Sequence, residues 1–263
     1  MYTKEQLFND LRKMNLKSTD TVLIHTSMKA IGEVEGRADG FIDIMCEYFK
    51  DGLLLIPTHT WDNVTKDAPI FDVSSTIPCI GIIPTKAAFR KDGYRSLHPT
   101  HSIWGHGKNA REFLKDEQYA TSPGPKGGAW ARLVDVNAKI LLIGVGHNRN
   151  TFIHAVDELV DLPNRLNPTP FDITIIDEDK KEYHTSFHCH YCTKSDDVSM
   201  YFVNFEKAFV QLGAQYTGKL GDAEVKVVDA KKIQDILVRI YTNAKEDLCI
   251  SYMDIPEEYY KMI

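Results

Sequence analysis

Long apolar runs are missing from this chain. The longest, such as Ile140 to Val145, are far too short to cross a bilayer as a helix. A disulfide framework is missing too, because Cys46, Cys79, Cys189, Cys192 and Cys249 form an odd and sparse set. There is no excess of positive charge. The 31 Lys and Arg face 37 Asp and Glu, giving a formal charge of −6. Such a surface repels nucleic acid and anionic lipid and favours a cationic small molecule. No GxSxG elbow, P-loop or HExxH occurs, so the common hydrolase, kinase and metalloprotease readings lack support. The opening MYTKEQLFNDLRKMNL is charged and amphipathic, unlike a secretory leader, and the expected compartment is cytoplasmic.

What is present is ordinary globular material. Hydrophobic residues make up 43% and charged residues 26% of 263. That length suits one domain over 1–263, and no repeat, low-complexity tract or linker interrupts it. Thr3 and Gln6 resemble a capping box, with Leu7, Leu11 and Met14 at helical spacing, so a helix is expected over 4–15. TVLIH (21–25), GLLLIP (52–57) and KILLIG (139–144) read as buried strands. Residues 39–48, 82–90, 202–212 and 230–241 read as helices, the last capped by Asp229. Residues 171–177 and 182–187 alternate like a hairpin, while 58–80, 98–107 and 121–128 read as loops. Strands and helices interleave, which predicts an α/β fold.

The segment GVGHNRNTFIHAVDELVD (144–161) carries most of the chemistry. It follows a buried strand and opens a helix, the junction where α/β proteins place ligand sites. His154 and Asp157, three apart, share a helix face. A carboxylate beside an imidazole fixes its tautomer and stabilises the imidazolium, which makes a usable base. The same spacing also describes a surface histidine with a solvated acidic neighbour. Gly144-Val145-Gly146 is not a dinucleotide fingerprint, since Arg149 stands where the third glycine belongs. The run HTSMK (25–29) suits phosphate or pantetheine contacts, or simply a strand-to-helix turn. HCHYC (188–192) is dense in metal-type ligands but lacks a second pair, so no metal is expected there.

Four blocks in order resemble the aminoglycoside 3-N-acetyltransferase family, which is unrelated to the GNAT fold: LIHTSMKAIG (23–32), LLIPTHTW (54–61), YRSLHPTHSIWGHG (94–107) and KILLIGVGHNRNTFIHAVDE (139–158). Weaker likeness extends to GPKGGAWARL (124–133) and to TGKLGDAEVKVVDAKKI (217–233), similar to the family's C-terminal strand and helix. The resemblance implies a mixed central β-sheet flanked by helices, acetyl-CoA as donor and no metal. It implies His154 as base, with Asp157 where the family has Glu; Glu158 is the alternative partner, and Thr151 or Ser27 a donor near the oxyanion. For the CoA channel it implies His25, Thr26, Ser27, Met28, Lys29, Thr100, Ser102 and Ile103. For the cationic acceptor it nominates His59, Trp61, Asp62, Asp72 and Glu158. The implied acceptor is the 3-amino group of an aminoglycoside's 2-deoxystreptamine ring. A same-fold enzyme acting on another amine and a non-catalytic relative remain alternatives. A possible homodimer is the implied assembly, with neither nucleic acid nor membrane as partner.

Overall fold

A computed structural model of the chain describes residues 1–244 and 246–261. Helix α1 (Lys4–Lys13) starts where Thr3 and Gln6 cap each other's backbone N–H groups, and it buries Leu7 and Leu11. There follow β1 (Thr21–Thr26), α2 (Met28–Ile31), α3 (Arg37–Tyr48), β2 (Leu53–Pro57), β3 (Ile70–Asp72), α4 (Ile82–Ala88), β4 (Tyr94–Arg95) and β5 (Ile103–Gly107). The chain continues through α5 (Ala110–Phe113), α6 (Ala129–Arg132), β6 (Lys139–Ile143), α7 (Phe152–Leu159), β7 (Phe171–Ile176) and β8 (Glu182–Phe187). It closes with α8 (Glu206–Gln211), β9 (Gln215–Leu220), β10 (Ala223–Asp229) and α9 (Ala230–Asn243), whose first turn is capped by the Asp229 side chain.

The central sheet runs β4-β5-β2-β1-β6-β10-β9. β1 is parallel to β2 and β6, whereas β5 and β10 pair antiparallel, so the sheet is mixed. The three parallel strands β1, β2 and β6 read as apolar runs because both of their faces are covered. Leu23, Leu55, Ile140 and Leu142 pack on one side with Trp130, Phe152, Phe205 and Leu237. Val22, Ile24, Leu54 and Leu141 pack on the other with α1 and α3. A second sheet, β3-β7-β8, has its own small core of Val64, Phe71, Leu97, Ile173 and Phe187.

Four sequence expectations change. The loop over 58–80 contains β3, three residues whose parallel partner β7 lies about a hundred residues on, so no local pattern reveals it. The loop over 98–107 contains β5. Its glycines hide the strand, yet Gly105 is needed, because a Cβ there would meet Leu114 Cδ1 at 2.8 Å. The helix over 202–212 is a 3-10 turn, Val198–Phe205, running into α8. The strand-and-helix expected over 217–233 is the hairpin β9–β10 followed by α9.

Candidate active site

β6 delivers the chain to Gly144, whose φ of +65° lies in the left-handed region. A Cβ there would sit 2.2 Å from that of Ala30, so α2 packs directly on the turn. A short 3-10 turn, His147–Arg149, then leads into α7, with His154 as its third residue.

His154 Nδ1 lies 3.7 Å from Asp157 Oδ2, too long for a hydrogen bond but close enough for charge to act. Asp157 is 1% exposed, and α9 reaches it: Tyr241 Oη donates to its Oδ1 at 2.7 Å. Arg165 Nε stands 3.6 Å from Oδ2, while the same guanidinium forks onto Asp247 at 3.0 and 2.6 Å. Burial drives Asp157 up to about 7, against the opposing pull of Arg165 and Tyr241. Burial also drives His154 down to about 3. The imidazole is therefore neutral at neutral pH and has a lone pair to offer.

His154 opens onto a cleft of about 510 Å³, lined also by the carboxyl ends of β1 and β2, by α4 and by residues of 190–199. Its inner wall is a file of imidazoles. His59 and His101 have ring centres 4.6 Å apart, His101 and His190 5.1 Å, and His190 and His154 3.9 Å. Burial holds all four below the ordinary histidine value.

The residues nominated from the sequence are only partly brought together. His25, Thr26, His59, Trp61, Thr151 and His154 line the cleft, and Asp157 lies behind His154. Thr100, Ser102 and Ile103 do not line it. They are at most 1% exposed, with Thr100 bonded to His101 and Ser102 to Thr58. Ser27, Met28 and Lys29 lie outside the lining, and Ser27 N–H extends the β1–β6 ladder to Ile143. Asp62 also lies outside, and Asp72 is held by Lys180 at 2.9 Å beside the small sheet. Glu158 is not the partner of His154. It accepts from Ser122 Oγ at 2.5 Å and Gly124 N at 2.6 Å, tying the irregular 122–124 segment to α7.

Sequence reasoning missed His101, Arg149, Asp196 and Asp197, which line the cleft, and Tyr241 and Arg165, which support Asp157. In the sequence His190 reads only as a metal-type ligand. The HCHYC side chains diverge: His188 bonds the Asn167 carbonyl, Cys189 packs beside the small core, His190 enters the cleft and Cys192 accepts from Asn164. A neutral imidazole backed by a buried carboxylate and facing a cleft suits proton removal from a bound nucleophile.

The site thus lies at the carboxyl ends of parallel strands of a mixed α/β sheet, and comparison with known proteins gives the family. The model of the aminoglycoside 3-N-acetyltransferase family matches residues 23–242, so the chain belongs to that family. It is 24% identical over 256 residues to aminoglycoside N(3)-acetyltransferase III of Serratia marcescens, covering 89% of this chain and 94% of that protein. It is also 24% identical over 192 residues to the SPbeta prophage-derived aminoglycoside N(3')-acetyltransferase-like protein YokD of Bacillus subtilis (strain 168), covering 63% and 68%. Among solved structures, AAC(3)-Xa superposes with a TM-score of 0.76 at 22% identity, covering 89% of this chain and 90% of that one. AAC-IIIb, solved as a binary complex with CoASH, gives 0.74 at 21% identity, covering 89% and 94%. AAC-VIa bound to sisomicin gives 0.71 at 19%, covering 89% and 95%.

Proposed function

We propose that the protein transfers the acetyl group of acetyl-CoA to an amine of an aminoglycoside-type acceptor, the 3-amino group of the 2-deoxystreptamine ring, with His154 as base. The observation that carries this reading is the neutral His154, backed by buried Asp157, facing the cleft. AAC-IIIb binds CoASH and AAC-VIa binds sisomicin on the same fold, which supports both halves of the reaction.

The reaction needs the acceptor nitrogen as a free amine. His154 takes one N–H proton as nitrogen attacks the thioester carbon, the C–N bond forms and the tetrahedral oxyanion builds up. Thr151 lines the cleft one turn before His154, and its hydroxyl caps no backbone N–H, so it is free to donate toward that oxyanion. Collapse breaks the C–S bond, and the imidazolium returns its proton to the departing sulfur. Asp157, kept partly ionised by Arg165 and Tyr241, stabilises the imidazolium between these steps. Arg149 is the one Lys or Arg lining the cleft among the described residues, and in this reading it takes the phosphates of CoA. A positioned base of this kind contributes about 10²–10⁴ in rate.

The test is direct. Purified protein with acetyl-CoA and sisomicin should release thiol and form a mono-acetylated product whose 3-amino group is blocked. Absence of thiol release with every amine offered, in protein shown to bind CoA, would reject the reading.

A further inference from the structure

We propose that Cys46, Asp92 and His106 form a site for one divalent metal ion of the zinc class, which clasps α3 to the edge of the central sheet. None of the three lines the cleft that His154 faces. No step of acetyl transfer involves the ion, and the inference stands apart from that reading.

Three parts of the chain meet here. Cys46 lies in the last turn of α3 and is buried in the same core as Leu54 and Trp104. Alternation along β5 turns Trp104 and His106 to one face, toward α3, and the two rings stack with centres 5.8 Å apart. Asp92 comes from the turn between α4 and β4. That turn lies on Trp104 because position 93 is glycine, where a Cβ would meet the indole at 2.3 Å. A thiol, a carboxylate and an imidazole thereby bring ligand atoms within 4.8 Å of one another, the one such group of three among the described residues. Neither the HCHYC run nor the file of imidazoles in the cleft makes such a group among those residues.

The donor set selects the ion. Thiolate, imidazole and carboxylate are zinc-type ligands, and three of them leave the fourth tetrahedral position to water. Metal bonds of about 2.0–2.3 Å place such donors about 3.3–3.8 Å apart, so closure needs shifts of about 1 Å. The surroundings already orient the donors. His106 Nδ1 lies 2.6 Å from the Asp92 carbonyl oxygen. That oxygen only accepts, so Nδ1 carries the proton and Nε2 the lone pair. Arg90 holds the Asp92 carboxylate at 2.9 and 2.5 Å while reaching Asp43 at 2.6 Å. A carboxylate offers about four lone-pair sites, so Asp92 keeps Arg90 and still takes a metal. Carbonyl-bonded imidazoles and hydrogen-bonded carboxylates are the ordinary outer shell of metal sites. The Asp92 side chain is 43% exposed, which gives the ion a path from solvent. Binding breaks the Cys46 S–H bond, forms the sulfur–metal bond and gives the proton to solvent. Thiolate and carboxylate then balance the charge of the ion.

The probe is Co²⁺, added to the chelator-treated full chain and then displaced by Zn²⁺. Wild type should bind one Co²⁺ per chain with a thiolate-to-cobalt charge-transfer band that Zn²⁺ abolishes. Cys46→Ser should lose the band. His106→Gln, at a half-buried position, should raise the Kd for Co²⁺ at least about tenfold. Zn²⁺ at a hundred times its Kd should raise the wild-type Tm by about 5 °C or more and leave that of Cys46→Ser in place. No band in wild type at millimolar Co²⁺, or a band that survives in Cys46→Ser, would overturn the site. An unchanged Kd in His106→Gln would overturn it as well. If Cys46→Ser does not fold, the Kd values of His106→Gln and Asp92→Asn decide: a rise in both upholds the site, and wild-type values in either overturn it.

Discussion

Replacing Tyr241 with Phe tests how the base is held. Tyr241 Oη makes a 2.7 Å bond to Asp157 Oδ1, Asp157 is buried and Tyr241 half-buried, and nothing else described donates to that oxygen. A hydrogen bond to a charged buried group is worth about 1.5–3 kcal/mol. At 1.36 kcal/mol per pH unit, its loss should raise the Asp157 pKa by about one to two units. Burial already holds that pKa at about 7, so the variant's Asp157 is mostly protonated at neutral pH. A neutral Asp157 cannot stabilise the imidazolium. The direction follows: activity needs ionised Asp157, so the acidic limb of the kcat profile moves to higher pH. The loss should be about five- to fiftyfold at pH 7 and should shrink toward pH 9. The assay is initial-rate thiol release from pH 5.5 to 9.5 with one acceptor for both proteins, which cancels the acceptor's own titration. Unchanged acetyl-CoA binding by calorimetry guards against general damage. An acidic limb that does not move, or a uniform loss at every pH, would refute the reasoning.

Acid should unfold this protein early. Burial holds His25, His59, His98, His101, His147, His154 and His190 below the ordinary value, so each takes up a proton only on unfolding as pH falls below about 6.5. Glu117, Asp157 and Glu158 are raised to about 7 and oppose this, since they bind protons in the folded state first. Seven groups against three leave the unfolded chain richer in protons between about pH 4.5 and 6.5, with an upper-bound slope of about 5 kcal/mol per pH unit. Denaturant titrations at pH 7, 6 and 5 should show stability falling steeply; a flat profile would contradict the buried neutral histidines. The diverging HCHYC side chains predict no stoichiometric zinc at that run, so elemental analysis should show no metal lost on Cys192→Ser.

The parallel strands β1, β2 and β6 are legible because burial on both faces leaves continuous apolar runs, and α1 and α9 because their caps are local. β3 and β5 were not, since one is three residues long with a distant partner and the other is broken by Gly105 and Gly107. The same division holds for the candidate site. His154 and Asp157 lie on one helix and could be paired by spacing. Tyr241 and Arg165 reach Asp157 from 84 and 8 residues away, and no periodicity links them to it. Asp196 and Asp197 lie on an irregular segment, where sequence gives no facing direction. Glu158 stays an alternative to Asp157 in the sequence because i+3 and i+4 positions flank one face almost equally. What separates them is the Ser122–Gly124 segment, which takes up Glu158.

The central claim is that His154 removes the acceptor's proton. Rapid-mixing single-turnover kinetics on His154→Ala, with acetyl-CoA preloaded and an accepted amine in excess, tests it most directly. The chemical step should slow by about 10²–10⁴, a loss of roughly 3–5 kcal/mol in transition-state stabilisation, while acetyl-CoA binding stays near the wild-type value. Acetyl transfer at the wild-type single-turnover rate would contradict the account.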